Sequence, residues 1–170
     1  MSGQVLDHEY TGNETEYLEA EDNKVQEDTQ KNKYLTFVID DEEYGVEIYS
    51  VMEIIGIEAI TSLPHTPDFV KGIINLRGSI IPVLEVRTRF RKPEIEYTDR
   101  SCIVVATFED IVIGLIVDSV REVLSIPQEF IQSPPKAKAG YHNKFIKNIG
   151  KIGENVKLLL DLDKLLNDEE

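Results

Sequence analysis

The sequence predicts an all-β domain, a small barrel or sandwich, preceded by an acidic tail. Three observations carry that prediction. The apolar residues lean toward Ile, Val and Leu, which suit pleated, half-buried surfaces. Several short segments alternate apolar and polar residues with the period of a strand, and turn-forming residues recur every eight to twelve residues or about that. With 170 residues, 41% of them hydrophobic and 29% charged, one compact unit with a real core is expected.

Residues 1–32 hold nine acids (Asp7, Glu9, Glu14, Glu16, Glu19, Glu21, Asp22, Glu27, Asp28) and two lysines (Lys24, Lys31), which leaves −7 of the chain's net −14. With few apolar residues and no sustained period, this tail cannot bury enough surface to offset the entropy of ordering, and disorder is expected. The folded part starts near Lys33. Leu35, Phe37 and Ile39 alternate with Thr36 and Val38, an acidic turn follows, and Tyr44, Val46 and Ile48 resume the alternation, so the pair reads as a hairpin. Ser50 to Ile57 has more closely spaced apolar residues and fits a short strand or a helical turn. Two prolines and an aspartate (Pro64, Pro67, Asp68) mark an irregular connection with a helical turn over 67–71.

Two strands then flank Arg77-Gly78-Ser79 in GIINLRGSIIPVLEV, where a permanent cation interrupts an apolar run. After the charged loop RKPEIEYTDR, SCIVVATF and IVIGLIVD flank Glu109-Asp110 as a tight hairpin. REVLSIP reads as a further strand ended by Pro127, and IQSPPKAKAGYHNK as a long loop, since Pro134-Pro135 cannot join a central ladder. FIKNIGKIG and VKLLLDLDKLLN close the chain as a hairpin and a short helix capped by Asp161.

The residues exclude more chemistry than they suggest. Acidic charge disfavours a general nucleic-acid binder, because phosphate contacts need clustered Lys and Arg. No apolar run reaches the roughly 18 to 20 residues needed to span a bilayer, and MSGQVLDHEY lacks the start of a secretory signal, so a soluble, cytoplasmic protein is expected. His8, His65 and His142 have no zinc spacing, DDEEYGVE fails the pattern of a calcium loop, and GKIGEN lacks the ending of a P-loop; no metal or cofactor is expected. Cys102 lies in an apolar strand, which favours a small buried hydrophobe over a nucleophile.

The stretches EYGVEIYSVMEII, LPHTPDFVKGIINLRGSIIPVLEVRTRF and GLIVDSVREVLSI resemble the CheW chemotaxis coupling family in order, spacing and residue type, from about Lys33 to Leu166. The resemblance implies two SH3-like β-barrel subdomains sharing a core, with short helical segments, over 33–166, between the acidic tail of 1–32 and a C-terminal tail of 167–170. It implies a non-catalytic adaptor that links the cytoplasmic tip of methyl-accepting chemoreceptors to the regulatory domain of the histidine kinase CheA. Such a protein is cytoplasmic and is recruited to membrane receptor arrays. The family also includes the CheA regulatory domain and the adaptor half of CheV, but both belong to longer chains, so a free-standing coupling protein fits better.

By the same resemblance, Arg77, Glu53, Val51, Gly114 and Val123 fall on receptor-binding positions, and Ile60 and Ile80 on kinase-binding positions, with Gly72 as backbone support. Each has a plainer alternative: Arg77 as an anchor tying its turn to nearby carbonyls or carboxylates, Glu53 as a solvated acid on a strand edge, and the valines and glycines as ordinary packing. The loop with Lys136 and Ala137 departs from better-known members, which have an acid and an aromatic there, and this puts its array contacts in question. A reading from a different class places a small enzyme or ligand carrier at a cleft built from His65, Asp68 and Arg77.

Overall fold

The computed structural model describes residues 30–135 and 141–167, and, at Tyr141 and His142, the backbone alone. The expectations for residues 1–29 of the acidic tail, for Lys136 and Ala137, and for the last three residues lie outside the described residues.

Eleven strands and two short helices make up the fold among the described residues. In chain order they are β1 (Lys33–Ile39), β2 (Glu42–Glu47), β3 (Val51–Gly56), β4 (Val70–Leu76), β5 (Ser79–Glu85), α1 (Val86–Arg89), β6 (Cys102–Phe108), β7 (Ile111–Val117), β8 (Ser119–Ser125), β9 (Ile131–Gln132), β10 (Ile146–Ile152), β11 (Asn155–Leu160) and α2 (Leu162–Asn167). They form a six-stranded sheet ordered β8-β1-β2-β11-β10-β9 and a five-stranded sheet ordered β3-β6-β7-β5-β4. The all-β reading is therefore correct. Its local differences have simple causes. Of the two alternatives for Ser50–Ile57 the strand is realised, as β3, while a 3₁₀ turn over Ile48–Ser50 ends the first hairpin one residue before Ile48. The helical turn expected over 67–71 is only a turn closed by Val70 N–H donating to Pro67 O at 3.0 Å, because β4 takes the chain from Val70. Ile131–Gln132, read as loop, pairs with Gly150 and Ile149.

Both faces of each sheet are covered, which explains the continuous apolar runs. In β7, Ile113, Leu115 and Val117 face a central cluster that also takes Leu35, Phe37 and Ile39 from β1, while Ile116 faces a smaller cluster with Ile74, Ile81, Val83, Ile103 and Val105. The six-stranded sheet has its own second cluster of Tyr34, Ile126 and Leu159. The sheets thus share a central core, and each curls over a core of its own. Each fully buried Ile, Leu, Val or Phe contributes about 1.5–3 kcal/mol, so the shared cluster dominates the apolar contribution.

Pro82 sits within β5 without cost to the ladder. It precedes the parallel pairing with β7, which begins at Val83 opposite Gly114, so its missing N–H falls where β5 pairs only with β4. Arg87, buried on α1, ties the junction of the sheets. Its Nε and Nη2 donate to Asp118 at 2.8 Å each, Nη2 also reaches Asp40, and Nη1 donates to Pro93 O at 2.9 Å. Asp118 lies between β7 and β8, where the chain leaves one sheet for the other.

Candidate functional site

The β4–β5 hairpin turns on Arg77 and Gly78, with φ of 52° and 88°, between the paired Leu76 and Ser79. Positive φ at both central residues matches the type I′ turn that fits strand twist. Gly78 suits this geometry and Asn75 supports it, its Oδ1 accepting the Gly78 N–H at 2.9 Å. Arginine does not: a left-handed backbone at a bulky residue costs on the order of 1 kcal/mol. Its guanidinium forks onto Glu53, Nη1 to Oε1 at 2.9 Å and Nη2 to Oε2 at 2.7 Å. The Arg77 side chain is 75% exposed and that of Glu53 24%. A pair this open is worth at most about 1 kcal/mol, so stability alone gives little reason for an arginine at this turn.

The same pair shows how the sheet curls. Glu53 is on β3 and Arg77 at the tip of β4–β5, the two opposite ends of the five-stranded order. The chain leaving β3 also reaches β4 through a bridge in which Thr61 and Ile73 exchange N–H···O bonds of 2.9 Å. Gly72 permits that approach. A Cβ at Gly72 would lie 2.1 Å from Thr61 O and 2.9 Å from Cγ2 of Ile60, and its φ is +153°. Gly72 is buried and Ile60 half-buried against the smaller cluster, so of the expected kinase-facing residues only Ile80 is openly exposed, at 61%.

A bulge in β3 sorts its side chains. Val51 pairs with Ala106 and Ile54 with Val104, both members of the central cluster, whereas Glu53 pairs with Val105 of the smaller one. Val51 and Ile54 therefore share the face turned toward the other sheet, and Glu53 points to the opposite face, where it meets Arg77. On the six-stranded sheet Val123 pairs with Leu35, again a member of the central cluster, yet it is 51% exposed because β8 is an edge strand. β3 is an edge as well, leaving Met52 and Ile54 exposed. β8 and β3, each at one end of its sheet, thus both carry exposed apolar residues. Sequence reasoning missed Met52 and Ile54, although a strand reading of VMEIIG would have placed them on one side.

Gly114 has a different place. It is buried, and a Cβ there would meet Cγ2 of Ile103 at 2.7 Å, so its direct contribution is to sheet packing. The cleft from the rival reading is not assembled. Asp68 lines a cleft with residues of α1 and α2, but neither His65 nor Arg77 does. His65 is exposed with φ 59°. Burial pushes the Cys102 thiol up, with the Val120 backbone opposing, and the residue packs against the central cluster as a small apolar group. Among the described residues no group of His, Cys, Asp and Glu has the geometry of a metal site.

One buried acid stands apart. Glu85, 5% exposed at the end of β5, accepts a 2.5 Å hydrogen bond from the Tyr97 hydroxyl. Burial raises its carboxyl above the ordinary range, while the Tyr97 bond and Lys71 oppose that rise. A carboxyl raised in the folded state favours folding below its unfolded value and loses that contribution as pH climbs through the folded value. Glu85→Gln keeps an oxygen for Tyr97 and removes the charge. We therefore expect a higher melting temperature than the parent at pH 7, with the difference vanishing below the unfolded carboxyl's value of about 4.3; an equal difference at both pH values would rule out the buried charge as its source.

The model for the CheW-like domain family matches residues 33–170. The chain belongs to the CheW-like family. Chemotaxis protein CheW of Klebsiella aerogenes is 35% identical over 147 residues, covering 86% of this chain and 89% of that protein. Chemotaxis protein CheW of Treponema pallidum is 33% identical over 140 residues, covering 80% and 82%. The crystal structure of the scaffolding protein TtCheW from Thermoanaerobacter tengcongensis superposes with a TM-score of 0.73 at 34% identity, over 80% of this chain and 88% of that one. CheW-like proteins are chemotaxis scaffolds and adaptors, not enzymes. Among the described residues no helix is long and apolar enough to cross a membrane.

Proposed function

We propose that this CheW-like chain couples methyl-accepting chemoreceptors to the histidine kinase CheA and so helps control kinase activity. In this reading residues 33–166 form the working domain, in the cytoplasm, recruited to receptor arrays. One observation carries it: the open Arg77–Glu53 fork stands on the strand whose opposite face bears Val51 and Ile54, at one end of its sheet. Exposed apolar residues rimmed by charge are the usual form of a reversible protein contact. Receptor binding then uses Val51, Met52, Ile54 and Val123 as the apolar part and the Arg77–Glu53 pair as the polar part. Gly114 acts from within the sheet. Ile80 is the kinase-facing contact, and Gly72 and Ile60 hold the backbone that presents it.

Coupling requires each interface to distinguish two receptor states, since a ligand of equal affinity for both shifts nothing. Reconstitution of the chain with a receptor tip and CheA tests the assignment. Arg77→Asn suits the left-handed turn, so the melting temperature is expected to hold while receptor-dependent autophosphorylation falls about tenfold, the equivalent of about 1.4 kcal/mol. Glu53→Gln keeps a hydrogen-bond acceptor and is expected to lose less. Full kinase activation by both variants would remove the pair from the receptor contact.

A further inference from the structure

The apolar edge proposed to meet the receptor depends on an irregularity in β8. Leu35 pairs with Val123 and Phe37 with Val120, so Arg121 and Glu122 together oppose the single residue Thr36. This is a β-bulge, one extra residue on one strand of an antiparallel pair. Its consequence is a matter of parity. Side chains alternate along a regular strand, so residues three apart fall on opposite faces. The bulge cancels that rule: Val120 packs against the central cluster and Val123 faces the same way, 51% exposed, while Leu124 turns to the cluster of Tyr34.

Thr36 holds the bulge in place. It is fully buried, and its hydroxyl donates to Glu122 O at 2.8 Å while accepting the Glu122 N–H at 3.2 Å. A hydroxyl can donate and accept at once, so it supplies both partners that a bulged residue lacks in the ladder. The extra residue cannot leave β8 by either end. Asp118 N–H donates to Val38 O at 3.1 Å before the strand, and Ile126 N–H to Asn32 O at 2.8 Å after it. It can only move within the strand. If the pairing of Val120 with Phe37 ran on unbroken through Arg121, Glu122 would stand opposite Leu35 and Val123 would turn to the other face.

We infer that Thr36 is a positioning residue for the receptor contact: its buried hydroxyl fixes the bulge at Arg121–Glu122 and so aims Val123 outward on the face that the receptor meets. Thr36 has this role only if Val123 is a receptor contact, as proposed. The role differs from ordinary core packing, which needs the volume of the side chain and not its hydroxyl. Thr36→Val keeps the branched shape and removes both bonds to Glu122. Thr36→Ser gives up a methyl group and keeps both.

Titration calorimetry of the full chain with a soluble chemoreceptor tip fragment, and separately with the CheA regulatory domain, provides the test. Thr36→Val is expected to bind the receptor tip about fivefold more weakly and Val123→Ala about tenfold, both with CheA binding unchanged. The double variant is expected to bind no more weakly than Val123→Ala, since Thr36 acts through Val123. Thr36→Ser is expected to bind as the parent does. In NMR spectra of the parent the Glu122 amide is expected to resist exchange and Val123 to lie against Leu35; Thr36→Val loses both signals and Thr36→Ser keeps them. Parent-strength receptor binding by Thr36→Val, with Val123→Ala weakened, would overturn the role of Thr36 and leave the proposed function standing. No loss in Val123→Ala would instead remove Val123 from the receptor contact, and this role of Thr36 with it. Additive losses in the double variant, an equal loss of CheA binding, or a Glu122 amide that exchanges freely in the parent would each overturn the inference.

Discussion

Gly72→Ala is expected to destabilise the fold by about 3–5 kcal/mol, among the largest effects of a single added methyl group. The added Cβ would sit 2.1 Å from the carbonyl oxygen and 2.7 Å from the carbonyl carbon of Thr61. These are backbone atoms and cannot rotate away. Relief requires the strands to part, which breaks the two 2.9 Å bonds between Thr61 and Ile73 and moves Ile60 off the smaller cluster. The φ of +153° adds strain that a bulky residue cannot relax. Urea unfolding measures the loss, and hydrogen exchange should show faster exchange at Thr61 and Ile73. The nearby Gly78→Ala, with open space at its Cβ, is expected to cost only about 1–2 kcal/mol for its left-handed φ. Equal costs for the two variants would refute the close approach as the cause.

Arg89→Ala is expected to cost a similar amount, about 3–5 kcal/mol, by a different route. Arg89 is 2% exposed. Its guanidinium carbon lies 4.0 Å from the Phe69 ring centre and 4.7 Å from that of Phe145, and it bonds the closing carbonyls of α2 at 2.8 and 3.2 Å. Truncation leaves a void between the rings and strips the helix end of its donors, and an unmet buried acceptor costs about 1–3 kcal/mol. Arg89→Met restores most of the volume without the donors, so it should recover part of the loss. Exchange at Leu165 and Leu166 should rise in both variants, since α2 is too short to hold without its anchor. A full recovery by methionine would show that packing alone matters here.

Much of this was legible in the chain. Hairpins around Asp40, Arg77, Glu109 and Gly153 follow from alternation broken by two turn-capable residues, and the structure has all four. The resemblance selected the family, and the comparisons bear it out. The candidate site was legible only in part. Arg77 and Glu53 are 24 residues apart, and strand period says nothing about a side chain that reaches from a hairpin tip to the far edge of its own sheet. For Gly114 the sequence leaves a receptor-binding position and ordinary packing both open, and only its burial against Ile103 shows the packing, because local pattern cannot tell a groove wall from a strand packed on both faces.

The sequence by itself therefore determined the strand content, the turns, the charge distribution and the family, because each depends on local backbone preference or on residue order. The tertiary structure decided which strands are edges, which face of β3 meets solvent, and which arginine binds what. Arg77, Arg87, Arg89 and Arg91 lie within fifteen residues of one another yet end in an open fork, a buried staple between sheets, a helix anchor and a cleft wall. Those fates follow from contacts across long sequence separation, and such contacts exist only once the sheets have curled over their shared core.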